Sequence, residues 1–318
     1  MKKILTVLIL TALLLVLYGC GAEGSQDGTS DQNKALSKAV EHLSKANSFE
    51  YIKSTYQQSK YEDGNVVSDD KSEVKEIMEP LTTWGRTDKE LTRRNGDHVR
   101  SVIETYRKTN KNQFAFYMRT SMEQPYSEKE PPLGDWEENI ITDKEQIEMT
   151  LKYAKKIREA EHYLLSLNME SFRFVEETEM DGANTLRYEG SIDPTTAMEA
   201  YKTYLRDYYV QFNMVKELKD PSLDDLKKEI TSGEVVELQS GIPLYAYAEE
   251  PVPISFWIDK ETFELKKVII DKTAMMQIYF TQELPKINPG REVPVVLKFI
   301  DTYVIKGINT LKEIEKPE

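Results

Sequence analysis

Few side chains in this sequence stand where their types and spacing could do covalent chemistry. Cys20 is the only thiol, so no intrachain disulfide can form. Ser72-Glu73-Val74-Lys75 has the S-x-x-K spacing in which a helical lysine deprotonates a serine one turn away. Here the surrounding pattern is that of a strand, where positions three apart face opposite ways. The S-D-N and K-T-G segments that accompany such a serine are also missing. His42, His98 and His162 fall on separate elements and read as solvated side chains. Asp220, Asp224 and Asp225 lack the glycine-turned loop of a calcium site; they read as helix-starting acids. Tyr201, Tyr204, Tyr208 and Tyr209 could stack on a sugar, but helical spacing makes Tyr201 and Tyr208 core residues, with Tyr204 or Tyr209 at its edge. No nucleophile elbow, phosphate-binding glycine loop or zinc helix occurs. The expectation is a chain that is not an enzyme, with no catalytic residue, no metal ligand and no cofactor.

The setting of Cys20 points to a modification. Lys2 and Lys3 precede an apolar run from Ile4 to Leu17, shorter than the roughly 20 residues a bilayer-spanning helix needs. A basic start and a short apolar run are the parts of a signal peptide. Leu17-Tyr18-Gly19-Cys20 resembles the lipobox of bacterial lipoproteins. That resemblance implies cleavage before Cys20, a diacylglyceryl thioether on its sulfur carrying acyl chains such as palmitate, and a freed amine as the new N-terminus. Each buried CH₂ contributes about 0.8 kcal/mol, so a single chain holds marginally and two hold stably.

Three regions are therefore expected: a signal peptide over 1–19, a lipidated cysteine with a flexible Gly/Ser-rich tether over 20–33, and one α+β domain over 34–318. Lys and Arg number 42 against 55 Asp and Glu, a formal charge of −13. So acidic a chain is not built to bind nucleic acid or to adhere to anionic lipid through a basic patch. Attachment to the outer face of a bacterial cytoplasmic membrane, in an envelope of Gram-positive type, would rest on the lipid.

Periodicity supplies the elements. Leu36, Ala39, Val40 and Leu43 make one stripe of a helix over 34–46 with Asn33 as its cap. Alternation and turn signals at Glu62–Asn65 and Asn95–Asp97 give an antiparallel meander over 49–119, and residues 121–134 read as a polar loop. Asp143 caps a helix over 144–167, with Ile147, Leu151, Ala154, Ile157, Ala160 and Leu164 buried. A hairpin over 172–192 follows, then a helix from Asp193-Pro194 with Met198, Tyr201, Leu205, Tyr208 and Phe212 on its buried face, and a short helix near 220–230. Strands are expected over 253–258, 265–271, 275–281 and 295–305.

Ile254-Ser255-Phe256-Trp257-Ile258-Asp259-Lys260-Glu261-Thr262-Phe263-Glu264-Leu265-Lys266-Lys267 resembles a hairpin of the LolA/LppX-like lipoprotein family. The opening helix before Ser48-Phe49-Glu50-Tyr51, and Tyr188-Glu189-Gly190-Ser191 before a helix, are similar too. The resemblance implies a strongly curved antiparallel sheet, a half-barrel, covered on its concave side by helices. It also implies a non-catalytic protein with an apolar cavity for a lipid or amphiphile. Candidates for the inner face are Phe114, Phe116, Met118, Phe256, Ile258, Ile278 and Phe280, which could equally meet helix stripes in a dry core. The alternative function is an interaction or chaperone-like module for another envelope protein, with a filled core.

Overall fold

The structure, a computed structural model, describes residues 29–110, 112–211, 221–232 and 241–317, with side chains from residue 34 onward except that of residue 287. Cys20, the leader, Phe212 and Asp220 lie outside the described residues. The chain divides into two compact units, 1–34 and 35–318. The described part of the first, 29–34, is helical; the second contains everything that follows.

Helix α1 (Thr29–Lys45) starts before the expected cap, so Asn33 lies within it rather than at its end. Ala35, Leu36, Ala39 and Val40 are buried. Five strands then run back and forth: β1 (Ser48–Tyr61), β2 (Gly64–Met78), β3 (Leu81–Thr92), β4 (His98–Thr109) and β5 (Phe114–Thr120). The expected loop contains the short β6 (Gln124–Pro125), and β7 (Glu137–Ile141) follows it. Helix α2 (Lys144–Leu167) begins at Asp143, whose carboxylate accepts a hydrogen bond from the Gln146 amide at 2.9 Å. The hairpin β8 (Arg173–Met180) and β9 (Ala183–Ile192) leads into α3 (Pro194–Ala200), with Pro194 where no amide donor is needed. A π turn over Tyr201–Leu205 joins α3 to α4 (Arg206–Gln211). Ser222 and Asp225 form a capping box on α5 (Leu223–Thr231). After a 3₁₀ turn over Ile242–Tyr247 come β10 (Val252–Asp259), β11 (Leu265–Asp271), α6 (Thr273–Ile287) and β12 (Val295–Ile308).

All strands join one antiparallel sheet in the order β7-β5-β4-β3-β2-β1-β12-β11-β10-β9-β8, with β6 paired to β4. The sheet is open, since β7 and β8 are its edges. The chain builds outward from β1, returns to the far edge, and works inward until β12 pairs with β1, Phe49 opposite Ile308 and Lys53 opposite Tyr303. First and last strands thus meet in the middle of the sheet.

The main core lies between the helices and the β9–β12 half, around Tyr188, Phe256, Ile258, Tyr201 and Met275. Fully burying an aliphatic or aromatic side chain contributes on the order of 1.5–3 kcal/mol. A second, smaller core of Ile77, Tyr106 and Ile314, flanked by Trp84, Tyr117 and Trp136, covers the other face of β2–β5. The C-terminal segment therefore closes a surface that the strands alone would leave apolar.

Two expectations need correction. Residues 275–281 are helical, inside α6, and not a strand. Short apolar runs do not distinguish strand from buried helix by period alone. Here Gln277 binds the chain at β12, accepting from the Val296 amide at 2.6 Å and donating to the Pro294 carbonyl at 3.1 Å. The tyrosine face is also shifted. Tyr209 is fully buried and Tyr208 only partly, because the wide π turn adds a residue and moves the inward position by one.

Candidate functional site

The site is a half-open cavity of about 1410 Å³ between α2 and the face of β1, β2 and β10–β12. Alternate residues of each strand point into it, as the two-residue period requires. β1 supplies Phe49, Tyr51 and Lys53; β12 supplies Tyr303 and Ile305; β10 supplies Ile254 and Phe256. Val268 and Ile270 on β11 continue the apolar wall. On the helical side Leu151, Ala154, Arg158, Glu161, His162 and Leu165 recur at three- and four-residue steps, one face of α2. Ile147, Ala160 and Leu164 are buried as expected, but Leu151 is 37% exposed. It belongs to the cavity lining, where an apolar side chain has space before it instead of protein.

Charged side chains such as Lys45, Glu79, Lys152, Lys155 and Glu159 also belong to the lining, and two polar clusters stand among its apolar residues. At α2, the Arg158 guanidinium stands 4.3 Å over the Phe49 ring, donates to the Ala46 carbonyl at 3.2 Å and lies 3.4 Å from a Glu76 oxygen. One turn on, Glu161 is open to the cavity. Protein walls surround it, and this desolvation pushes its carboxyl up to about 7; Arg158 opposes the shift and Glu76 adds to it. Burial also lowers the basicity of His162.

The second group is centred on Asp301, which is 2% exposed. Its carboxylate accepts from Thr55 Oγ1 at 2.7 Å and Lys272 Nζ at 2.8 Å, with Lys53 Nζ at 3.7 Å. Burial would raise this carboxyl; the two ammonium groups and the two hydrogen bonds outweigh it and hold it below the usual value. Tyr51 and Tyr303 stand beside this cluster, ring centroids 6.1 Å apart, and Tyr245 enters from the 3₁₀ turn. Desolvation raises all three phenols, so they stay protonated and can donate.

The residues singled out from the sequence are dispersed. Phe256 lines the cavity, 5.0 Å from the Phe172 ring. Ile258 shares its face but is fully buried in the core. Phe114, Phe116 and Met118 lie across the sheet on β5, opposite Thr109, Arg107 and Thr105, and are half-buried outside the lining. Ile278 and Phe280 sit on α6, packed against the core rather than in the cavity. Arg158, Glu161 and the three tyrosines were not anticipated. Their available signal was the charge carried at 158 and 161, in step with Leu151 and Ala154.

The motifs that suggested catalysis are taken up structurally. Ser72 Oγ is 2.9 Å from Thr87 Oγ1, and Lys75 pairs with Glu50 at 3.4 Å, both across strands. His98 stacks on Tyr126 at 4.2 Å. Tyr208 stacks on Tyr153 at 3.5 Å, and Tyr201 and Tyr209 are fully buried. Among the described residues no group of three or more His, Cys, Asp or Glu could hold a metal ion, and no helix is long and apolar enough to cross a membrane.

No protein-family model matches the chain, and no curated protein matches it. Two solved structures are similar in arrangement over most of its length. The Mycobacterium tuberculosis lipoprotein LppX is 8% identical, with a TM-score of 0.36, over 91% of this chain and 100% of its own. LprF from Mycobacterium bovis is 12% identical, with a TM-score of 0.39, over 92% of this chain and 99% of its own. No residue role is carried over from either.

Proposed function

We propose that this protein is a lipid-anchored, non-catalytic binding protein of the bacterial cell envelope. It carries a lipid or other amphiphile in the cavity, with the sheet wrapping the ligand on its concave side and α2 closing over it. The observation that carries this reading is the cavity itself. Its 1410 Å³ exceeds the roughly 300–1,000 Å³ typical of small-molecule sites. Its apolar stretch along Ile254, Phe256, Val268, Ile270 and Ile305, with charged side chains elsewhere in the lining, suits the two ends of a long-chain amphiphile. Leu151 supports it further, as an apolar side chain held towards open space.

A cavity of this size weighs against the filled core that the interaction-module alternative presupposes. Anchoring through diacylglyceryl Cys20, and with it the location at the outer face of the cytoplasmic membrane, rests on the sequence resemblance.

The test is organic extraction of the purified full chain followed by lipid analysis. Chains joined covalently to Cys20 stay with the protein, whereas a carried ligand enters the extract. Near one lipid per protein, enriched over another lipoprotein purified in the same way, is the expected outcome. An extract no richer than that control would refute carriage.

A further inference from the structure

We propose that the cavity takes an amphiphile with an anionic oxygen headgroup, a carboxylate or phosphate, held at the patch formed by Tyr51, Tyr245, Tyr303, Lys53 and Lys272. The inference rests on the cavity reading above and adds the headgroup class and its position.

The patch has donors in excess. Two ammonium groups share the single carboxylate of Asp301. Both Asp301 oxygens are already engaged, one by Thr55 and one by Lys272, and the side chain is almost wholly buried. Asp301 is therefore closed to a cationic headgroup, which would find only Glu161 across the cavity as an acceptor. The three phenols point the same way, since among the described residues none has a hydrogen-bond partner. A protonated phenol in an apolar cavity gains most from a charged acceptor. Lys53 adds a cation 5.5 Å above the Tyr303 ring, still 36% exposed and able to turn towards a ligand. This surplus stands inside a chain of net charge −13, so it is not a sample of the general surface. Ile254, Phe256, Val268 and Ile305 supply the wall along which a chain can extend from the head.

Glu161 opposes an anion and must be accounted for. It interacts with Tyr51, Tyr245 and Tyr303 from α2. Arg158 and His162 stand on the same helix, and Glu76 faces it from β2. A carboxyl poised near neutrality is driven to its neutral form by an arriving anion. Binding therefore takes up a proton and tightens as pH falls.

The experiment titrates the delipidated full chain with three probes of one chain length: a fluorescent polyene fatty acid, its methyl ester and the corresponding amine. The acid is expected to bind about tenfold more tightly than the amine, with the ester between, as one charge-assisted hydrogen bond supplies. Tyr303→Phe and Lys53→Gln should each narrow that gap without abolishing ester binding, and acid binding should strengthen from pH 8 to pH 6. Equal affinity for all three probes, or a preference for the amine, overturns the headgroup assignment and leaves the cavity reading standing. Binding of none of the three overturns both. The probe series is run on the unaltered protein, so the result does not depend on any variant folding.

Discussion

Glu161 concentrates the physics of the site in one side chain. It is open to the cavity yet surrounded by protein, and its carboxyl is raised to about 7 from 4.5. Between those values the folded chain holds a proton that the unfolded chain has released. Folding stability from this group is therefore full below pH 4.5 and falls as pH rises through 7. Glu161→Gln removes the dependence. The variant should melt at the wild-type temperature at pH 4 and above it at pH 8; parallel melting curves across that range would show that the carboxyl is ordinary. Asp301 is the opposite case, a carboxyl whose stability contribution is lost only in acid, because Lys272 and Lys53 favour its charge. From the sequence both are acids among 55. What separates them is which groups the fold places nearby, and for Asp301 these are Lys53 and Lys272, far from it in the chain.

Elements were more legible than residues, for reasons that differ by case. α2 was readable because Asp143 and a long apolar stripe agree, and the hairpins because Asp, Gly and Asn mark their turns. Asp143→Ala should cost about 1 kcal/mol in urea unfolding, the usual value of an N-cap; an unchanged midpoint would show that the cap is idle. α6 is not legible as a helix, because Met275 to Phe280 is a short apolar run that suits either state. The shift from Tyr208 to Tyr209 was invisible because nothing in the sequence announces a π turn. Gly190, within the Tyr188–Ser191 stretch, has close packing as its physical task. A Cβ there would stand 2.7 Å from the Ser171 carbonyl oxygen and 2.5 Å from the Phe172 ring. The carbonyl is backbone and cannot swing aside, so Gly190→Ala should destabilise by about 1–3 kcal/mol, the usual cost of overpacking. Wild-type stability in the alanine variant would mean that the 3₁₀ turn over Met169–Ser171 yields easily.

At the scale of the molecule, the sheet is held together by its most non-local pairing, β1 with β12, and the cavity lies against that seam. The sequence could supply the alternating faces of these strands but not the space between them and α2. That space depends on how far the helix stands from the sheet, which no period encodes. The proposed anchor belongs to this scale too. Cys20→Ser should release the protein from the membrane fraction in high salt; retention there would mean that something other than acylation holds it. The claim on which the rest depends is that the cavity between α2 and β10–β12 holds an acyl chain. Photolabelling of the full chain with a diazirine fatty acid, followed by peptide mapping, tests it most directly. The account predicts label on Phe256, Val268, Ile305 and Leu151, competed by unlabelled fatty acid. Label confined to exposed apolar positions such as Val295, Leu297 and Ile140, with the cavity residues unmarked, would contradict it.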